Sequence, residues 1–229
     1  MDEDIWDEHR WEAFLRENDR RVDRYMSDLY QFLEKNPQPD PRNEDEMLLW
    51  KAQLRSFMEA RGWADPELPL QDDADSEMED PPLDLEDLVS ASSFFTDPED
   101  DVDGVHRIPV YNRAVALGTS VLAWANMIPG DVKDSTLVQF CSHIMQIAAN
   151  LAKGHGIGYE QDMIGGNIAC VKRGLGAANT ALSLLHEMQH APYIDDTMYV
   201  RLYEDTFEVR NEVGLYVQEL RRRFELGID

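Results

Sequence analysis

The pattern His-Glu-x-x-His occurs once in the chain, as the five residues from His186 to His190. On an α-helix, histidines four residues apart lie on one face, where both imidazoles can bind a single zinc ion. The glutamate between them, Glu187, would then act as the general base of a peptidase. The pattern therefore indicates one hypothesis, a zinc-dependent metallohydrolase with His186 and His190 as metal ligands.

Catalytic zinc needs a third protein ligand, and the carboxylates that follow the pattern lie far along the chain. Glu208 and Glu212 come 18 and 22 residues after His190, on the next predicted helix. If that helix returns antiparallel from Asp195, they lie about 18 and 24 Å past His190 at 1.5 Å per residue, against a zinc bond of about 2 Å. The hydrolase therefore stays an alternative, and we expect neither a catalytic residue nor a bound metal.

Glu187 and His190 also form one Glu-x-x-His pair, a part of the ligand pattern of di-iron helix bundles. A di-iron centre needs a second such pair and two more inward glutamates, and the other predicted core stripes contain no carboxylate. A histidine near a helix C-terminus has a simpler role, because its cationic form interacts favourably with the last carbonyl groups. We therefore expect no cofactor.

The elements that must position these residues are helices. In the second half of the chain, apolar residues recur at intervals of three and four in four stretches, at 110–128, 135–153, 160–190 and from Asp195 onward. Pro129 and Gly130 end the first stretch, Gly154 ends the second, and Asp195 and Asp196 are the N-cap candidates of the fourth. Short loops between such stripes predict an antiparallel up-down-up-down four-helix bundle over residues 107–229.

The first 62 residues predict a helical hairpin. Apolar residues spaced three or four apart indicate an amphipathic helix from about Trp6 to Glu34. Asn43, with Glu46 three residues later, is typical of a helix N-cap and predicts a second helix that ends near Gly62. No stretch alternates as a β-strand does, so the expected fold class is all-α.

Residues 63–106 predict an acidic, largely disordered linker. No Lys or Arg occurs between Trp63 and His106, and 16 Asp or Glu residues lie between Asp65 and Asp103, together with five prolines. Such a composition buries too little apolar surface to offset the entropy lost on ordering. Within it, acidic and apolar residues alternate, which is typical of segments that order on a partner; the candidate docking residues are Leu83, Leu85, Leu88, Val89, Phe94 and Phe95. The alternative is that this strip folds back onto the chain's own bundle.

The charge distribution excludes some functions. The chain carries a net charge of −25, and residues 1–110 hold 32 acidic against 11 basic side chains, while residues 111–229 hold 14 against 10. Because nucleic-acid affinity depends on cations that neutralise phosphates, generic nucleic-acid binding is not expected. The local exception, Arg221 to Arg223, is explained by cations at the end of a helix.

Two observations bear on localisation. The chain has only two cysteines, Cys141 and Cys170, which we interpret as reduced core residues. The start lacks the basic and apolar regions of a secretory signal, and the most apolar stretch is too short to cross a bilayer. The prediction is a cytoplasmic protein without a membrane partner.

The second half resembles a known family. The first bundle helix opens with "IPVYNRAVALGTSVLAWANMIP", the second ends with "IAANLAKGHGIG", and the third contains "CVKRGLGAANTALSLLHEM". In their order and helix lengths these segments resemble the four-helix-bundle proteins encoded in 23S ribosomal RNA intervening sequences, a family that includes the accessory protein of diversity-generating retroelements. The likeness covers about residues 108–224.

The resemblance implies a homopentamer without enzymatic activity. It also implies a further alternative, an accessory protein of a reverse transcriptase, although the basic surface of that accessory protein is mostly absent here. Lys153 stands where the family usually has an acidic residue. The small and polar residues at the matching helix faces are expected to allow close packing within the bundle or between subunits; they are Asn150, Gly154, Gly174 and Gly176.

The function predicted from the sequence is that of a non-catalytic, oligomeric scaffold or interaction protein. The bundle would self-associate, and the acidic N-terminal half would dock an unidentified protein partner in several copies, which raises the effective affinity.

Overall fold

The structure, a computed structural model, describes residues 5–63 and 104–227. In these two ranges the chain forms six α-helices: α1 (Glu8–Lys35), α2 (Glu44–Glu59), α3 (Pro109–Met127), α4 (Ser135–Ile157), α5 (Ile164–Glu187) and α6 (Asp196–Leu226). Neither range contains a β-strand. The prediction of an all-α chain is confirmed, and most of the linker with its six docking candidates, from Leu83 to Phe95, lies outside the described residues.

The chain divides into two compact units. One contains residues 13–82, and the other combines residues 1–12 with residues 83–229. We name the first the hairpin unit and the second the four-helix unit. Helix α1 begins in the four-helix unit and continues in the hairpin unit, so its first residues serve a different unit from the rest.

The hairpin unit has a small aromatic core. Phe32, Leu54 and Met58 are buried, and the Phe32 ring contacts Trp50 and Phe57 at centroid distances of 5.6 and 5.2 Å. The Asn43 side chain accepts a hydrogen bond from the Glu46 amide, 3.4 Å away, which confirms the predicted N-cap of α2.

The four-helix unit is closed by contacts between successive helices. Each of the helices α3, α4 and α5 packs against the next helix along the chain, and α6 packs against α3. Helices α4 and α5 run in opposite directions, because Gly154 lies against Asn167 while Ile147 lies against Gly174. Their inward stripes form one continuous core whose most deeply buried side chains include Val121, Leu137, Phe140, Ile144, Ile147, Leu151, Leu185, Val213 and Leu220.

Helix α4 ends later than the sequence indicates. Gly154 was the predicted end, but the helix continues to Ile157 and is terminated by Gly158, whose φ of 121° is strained for other residues. Gly154 is instead buried within the helix, where an added Cβ would lie 2.7 Å from Asn167 Oδ1. The glycine is needed because it lets α4 approach α5, and not because it ends the helix.

The cap of α6 agrees with the sequence. The Asp195 carboxylate accepts a hydrogen bond from the Met198 amide at 2.8 Å, as expected of an N-cap.

In the parts of the chain that the structure describes, no helix is both long and apolar enough to cross a membrane.

Candidate functional site

The His-Glu-x-x-His pattern lies across the end of α5. The α-helix ends at Glu187, and Met188–His190 form a short 3-10 turn, so the two histidines are not on one continuous α-helix. His186, Glu187 and His190 are exposed, while Met188 between them is buried. Met188 is therefore the residue of this pattern that packs into the core at the end of α5, while both histidines lie at the surface.

The third-ligand candidates have other surroundings. Glu212 forms an ion pair with Arg113 of α3, and Glu208 is exposed on α6. Within 5–63 and 104–227, no three His, Cys, Asp or Glu side chains are close enough to hold a metal ion. The buried polar residues of those ranges are Asn167 and Thr206, so the core there holds no carboxylate for a di-iron centre.

The predicted packing residues occupy three different environments. Gly154 and Gly174 are buried between α4 and α5, where an added Cβ on Gly174 would lie 3.4 Å from the Ile147 carbonyl oxygen. Asn150 is partly exposed and donates a hydrogen bond to the Gln146 carbonyl oxygen at 2.8 Å. Gly176 is exposed and has open space around it.

Two tyrosine hydroxyls fasten the loops of the four-helix unit. Tyr193 donates to both carboxylate oxygens of Asp134 at 2.9 Å, which ties the α5–α6 connection to the start of α4. Burial and the Asp134 charge raise the pKa of Tyr193 to about 12. Tyr216 of α6 shares a 2.9 Å hydrogen bond with Tyr159, and burial raises the pKa of Tyr216. Both hydroxyls stay neutral at physiological pH and act as structural hydrogen-bond groups.

Residues 6–12 bind to a defined surface on α5 and α6, which the sequence did not indicate. The surface consists of Gly165, Gly166, Lys172 and Arg173 of α5 and Arg221 of α6, and we name it the N-terminal seat. Gly165 and Lys172 are seven residues apart, as are Gly166 and Arg173, so both pairs lie on one face of α5, two turns apart.

Two glutamates of α1 bind the cations of the seat. Arg221 Nε and Nη2 donate to the two oxygens of Glu8 at 2.9 and 2.6 Å, and Lys172 Nζ donates to Glu8 Oε1 at 3.0 Å. Arg173 Nε donates to Glu12 Oε2 at 2.9 Å. The side chain of Glu8 is only 13% exposed, and the bidentate hydrogen bonds from Arg221 lower its pKa from 4.5 to about 2. Glu8 is therefore ionised at any physiological pH.

Two glycines make room for the aromatic part of the segment. A Cβ on Gly165 would overlap the Trp6 carbonyl oxygen, and a Cβ on Gly166 would lie 2.9 Å from the Trp11 ring. The Trp6 and Trp11 rings contact each other edge to face, with centroids 5.6 Å apart. The backbone of residues 6–12 thus approaches α5 at a distance that only glycine permits.

Sequence reasoning missed the seat, although one signal for it exists. Residues 164–171 of α5 are all buried, since the other helices cover one side and residues 6–12 cover the other. That stretch, "IGGNIACV", contains no charged residue on any face. A helix segment without a charged residue on any face is buried all round, so a further covering element was predictable.

An aromatic ladder lies on α6. Tyr199, Tyr203 and Phe207 are four residues apart and stack in series, with centroid distances of 6.2 and 5.9 Å and the last two rings inclined by only 9°. Tyr203 and Phe207 remain 40% and 43% exposed. Side chains that form such an ordered apolar strip at the surface are typical of an interaction site.

The basic cluster of the C-terminal helix is divided between two roles. Arg221 binds Glu8 in the N-terminal seat, while Arg222 and Arg223 donate to Glu219 one turn earlier on α6. Only Arg223 lies in the last turn of α6, where a cation complements the helix end. All three arginines have carboxylate partners within the chain, which leaves this cluster poorly suited to binding phosphates.

Comparison of the chain with protein families, with curated proteins and with solved structures finds no match.

Proposed function

We propose that this protein is a non-catalytic, oligomeric interaction protein whose up-down-up-down four-helix bundle self-associates and whose acidic N-terminal half docks a partner. The single observation that carries self-association is the aromatic ladder of α6. Its rings are held in register by stacking on each other, so a second copy can bind them at little further cost in side-chain entropy.

The charge distribution favours a contact between copies on this helix. Two chains with a net charge of −25 repel each other, but residues 111–229 contribute only −4 of that charge. The ladder lies in this nearly neutral half. A contact between copies through the ladder therefore involves the less acidic half of each chain.

The resemblance to the intervening-sequence family supports five copies as the expected stoichiometry, with small residues at further subunit contacts. The acidic segment around residues 83–95 would then be present five times, and this multivalency raises the affinity for a partner that carries several binding sites. We infer a cytoplasmic location from the reduced cysteines and the charge.

Light scattering coupled to size exclusion on the full chain tests the proposal. The expected mass is close to five times the chain mass of 26.4 kDa. Tyr203→Glu with Phe207→Glu should give smaller species, because two carboxylates replace the exposed rings.

The control is Leu215→Glu, which places a carboxylate at an apolar side chain of α6 that is 64% exposed and outside the ladder. This variant should keep the mass of the unchanged protein. A monomer for the unchanged chain at micromolar concentration would reject self-association, and equal masses for both variants would reject the ladder as its site.

A further inference from the structure

The N-terminal seat concentrates positive charge in an acidic protein. Of the ten Lys and Arg residues in 111–229, three lie in it: Lys172, Arg173 and Arg221. Arranged on two adjacent helices, they match two carboxylates that are one helical turn apart on their ligand, Glu8 and Glu12. Such an arrangement selects a helix with acidic residues four apart.

The rest of the seat selects for tryptophan. Gly165 and Gly166 leave a shallow depression into which the Trp11 ring and the Trp6 backbone fit. Arg10 of the segment lies over the Trp6 ring, with its guanidinium carbon 4.4 Å from the ring centroid. The N-terminal seat therefore recognises two features of its ligand, an indole ring that lies over the glycines and carboxylates that bind the cations.

The strength of this contact is moderate. Lys172 and Arg221 remain 37% and 45% exposed, so solvent weakens their ion pairs with Glu8. Because the segment belongs to the same chain, its effective concentration at the seat is raised, which adds to the contacts themselves. A free ligand of the same chemistry can replace it once the intramolecular copy is weakened.

We propose that the N-terminal seat is a recognition site for acidic, tryptophan-containing helical peptides, and that residues 6–12 are its built-in competing ligand. A partner that presents an indole and two carboxylates one turn apart binds to α5 and α6 by displacing the segment. Displacement detaches the start of α1 from the four-helix unit, so that partner binding and release of the N-terminus are one event. The proposal does not depend on self-association through α6.

The test uses the full chain and a fluorescein-labelled synthetic peptide of residues 5–20, followed by fluorescence anisotropy. Glu8→Lys with Glu12→Lys opens the seat, since the new cations repel Lys172, Arg173 and Arg221. This opened variant is expected to bind the peptide at least ~10-fold more tightly than the unchanged chain, whose seat is occupied. A peptide that carries Glu8→Gln and Glu12→Gln is the matched control and should bind weakly to both proteins.

Charge exchange ties binding to the seat. Lys172→Glu, Arg173→Glu and Arg221→Glu in the otherwise unchanged chain reverse the charge of the seat, so that it repels Glu8 and Glu12 and should not bind the acidic peptide. The same protein should bind a peptide that carries Glu8→Lys and Glu12→Lys, because the signs are restored. If both peptides bind equally well to the proteins with the original and with the reversed seat, the proposal is wrong.

Two further outcomes overturn it. In the first, circular dichroism shows that the opened variant is folded, but it binds no peptide at ~1 mM, which corresponds to less than about 4 kcal/mol of binding free energy. Alternatively, both the opened variant and Trp11→Ala would fail to fold, which would make residues 6–12 a permanent structural part of the bundle. Folding of either variant with peptide binding supports the exchangeable ligand.

Discussion

One face of α6 is covered at one end and open at the other. Tyr199, Arg210 and Arg221 are eleven residues apart in turn, which is three turns of helix, so they share this face. Arg221 binds Glu8, and Arg210 donates to Asn179 of α5 at 3.0 Å, whereas Tyr203 and Phe207 of the aromatic ladder remain 40% and 43% exposed. Among the described residues, a matching ligand from the same chain covers one end, and none covers Tyr203 and Phe207 at the other.

The comparison shows what a covering segment requires. We call the end of α6 that binds Glu8 the closed end and the end with the ladder the open end. At the closed end, glycines on α5 allow residues 6–12 to approach closely, and cations on α5 and α6 fix the position of this segment through its carboxylates. At the open end, the stacked rings of Tyr203 and Phe207 provide exposed apolar surface. Apolar surface gives binding energy, and the charge pattern gives register.

The largest effect is expected when the closed end is forced open. In Gly165→Ala, the new methyl overlaps the Trp6 carbonyl oxygen, so the whole segment must leave its seat. We expect a loss of about 3 kcal/mol in the free energy of unfolding, at the upper end for overpacking. Urea unfolding followed by far-ultraviolet circular dichroism measures it.

Gly176→Ala on the same helix is the control, because the added Cβ meets open space. It should raise the stability by about 0.5 kcal/mol or more, as alanine favours the helix. Two substitutions of equal size would thus change stability in opposite directions. Equal effects would contradict close approach at Gly165.

A smaller loss is expected when only one ring is removed. Trp11→Ala takes away the indole that lies over Gly166 and should cost about 2 kcal/mol, since the ring is only partly buried. The same urea titration measures this loss. A loss no larger than that caused by replacing an exposed side chain with alanine would show that the Trp11 indole does not stabilise the packing of residues 6–12.

The charge at the closed end should give a pH-dependent effect. The pKa of Glu8 is lowered from 4.5 to about 2, so its contribution is complete above pH 4.5 and disappears as the pH falls toward 2. Glu8→Gln should lower stability by about 1 kcal/mol at neutral pH, because the partner cations are partly exposed.

Unfolding curves between neutral pH and pH 2 should therefore converge for Glu8→Gln and the unchanged chain. Glu17→Gln is the control, since Glu17 pairs with Arg20 where both side chains are about two-thirds exposed or more. Its curve should follow that of the unchanged protein at every pH. A gap for Glu8→Gln that persists at pH 2 would contradict the ion-pair origin.

The smallest effect on stability is expected at the open end. Tyr203→Ala removes a ring that is 40% exposed, and the free energy of unfolding should change by less than about 0.5 kcal/mol. Dilution of the same variant during light scattering should show weaker association. A large loss of stability would mean that the ladder is part of the fold, which would remove the contrast between the two ends.

Much of the fold could be predicted from spacing. The helices of the second half follow apolar stripes, and the caps at Asn43 and Asp195 are where a side-chain acceptor precedes a stripe. The end of α4 was missed because Gly154 resembles a helix terminator in the sequence, while its actual reason is contact with Asn167. A glycine's letter does not show whether it is needed for its φ angle or for its lack of a Cβ.

The candidate site was mostly beyond such reasoning. His186 and His190 formed the most specific pattern in the chain, but a pattern assumes a continuous helix, and α5 ends between them. The seat joins residues 6–12 with residues 165–221, and no local spacing relates segments so far apart.

The sequence by itself determined that this chain is helical, where most of its helices begin and end, and that its charge is concentrated in the first half. These properties depend on neighbours within a few residues, through side-chain periodicity, capping and composition. Only the tertiary structure decided that Glu8 and Glu12 are ligands of Lys172, Arg173 and Arg221, and that the ladder of α6 has no such ligand among the described residues. Pairing across more than 150 residues depends on how the helices pack, because packing alone brings those charges within bonding distance.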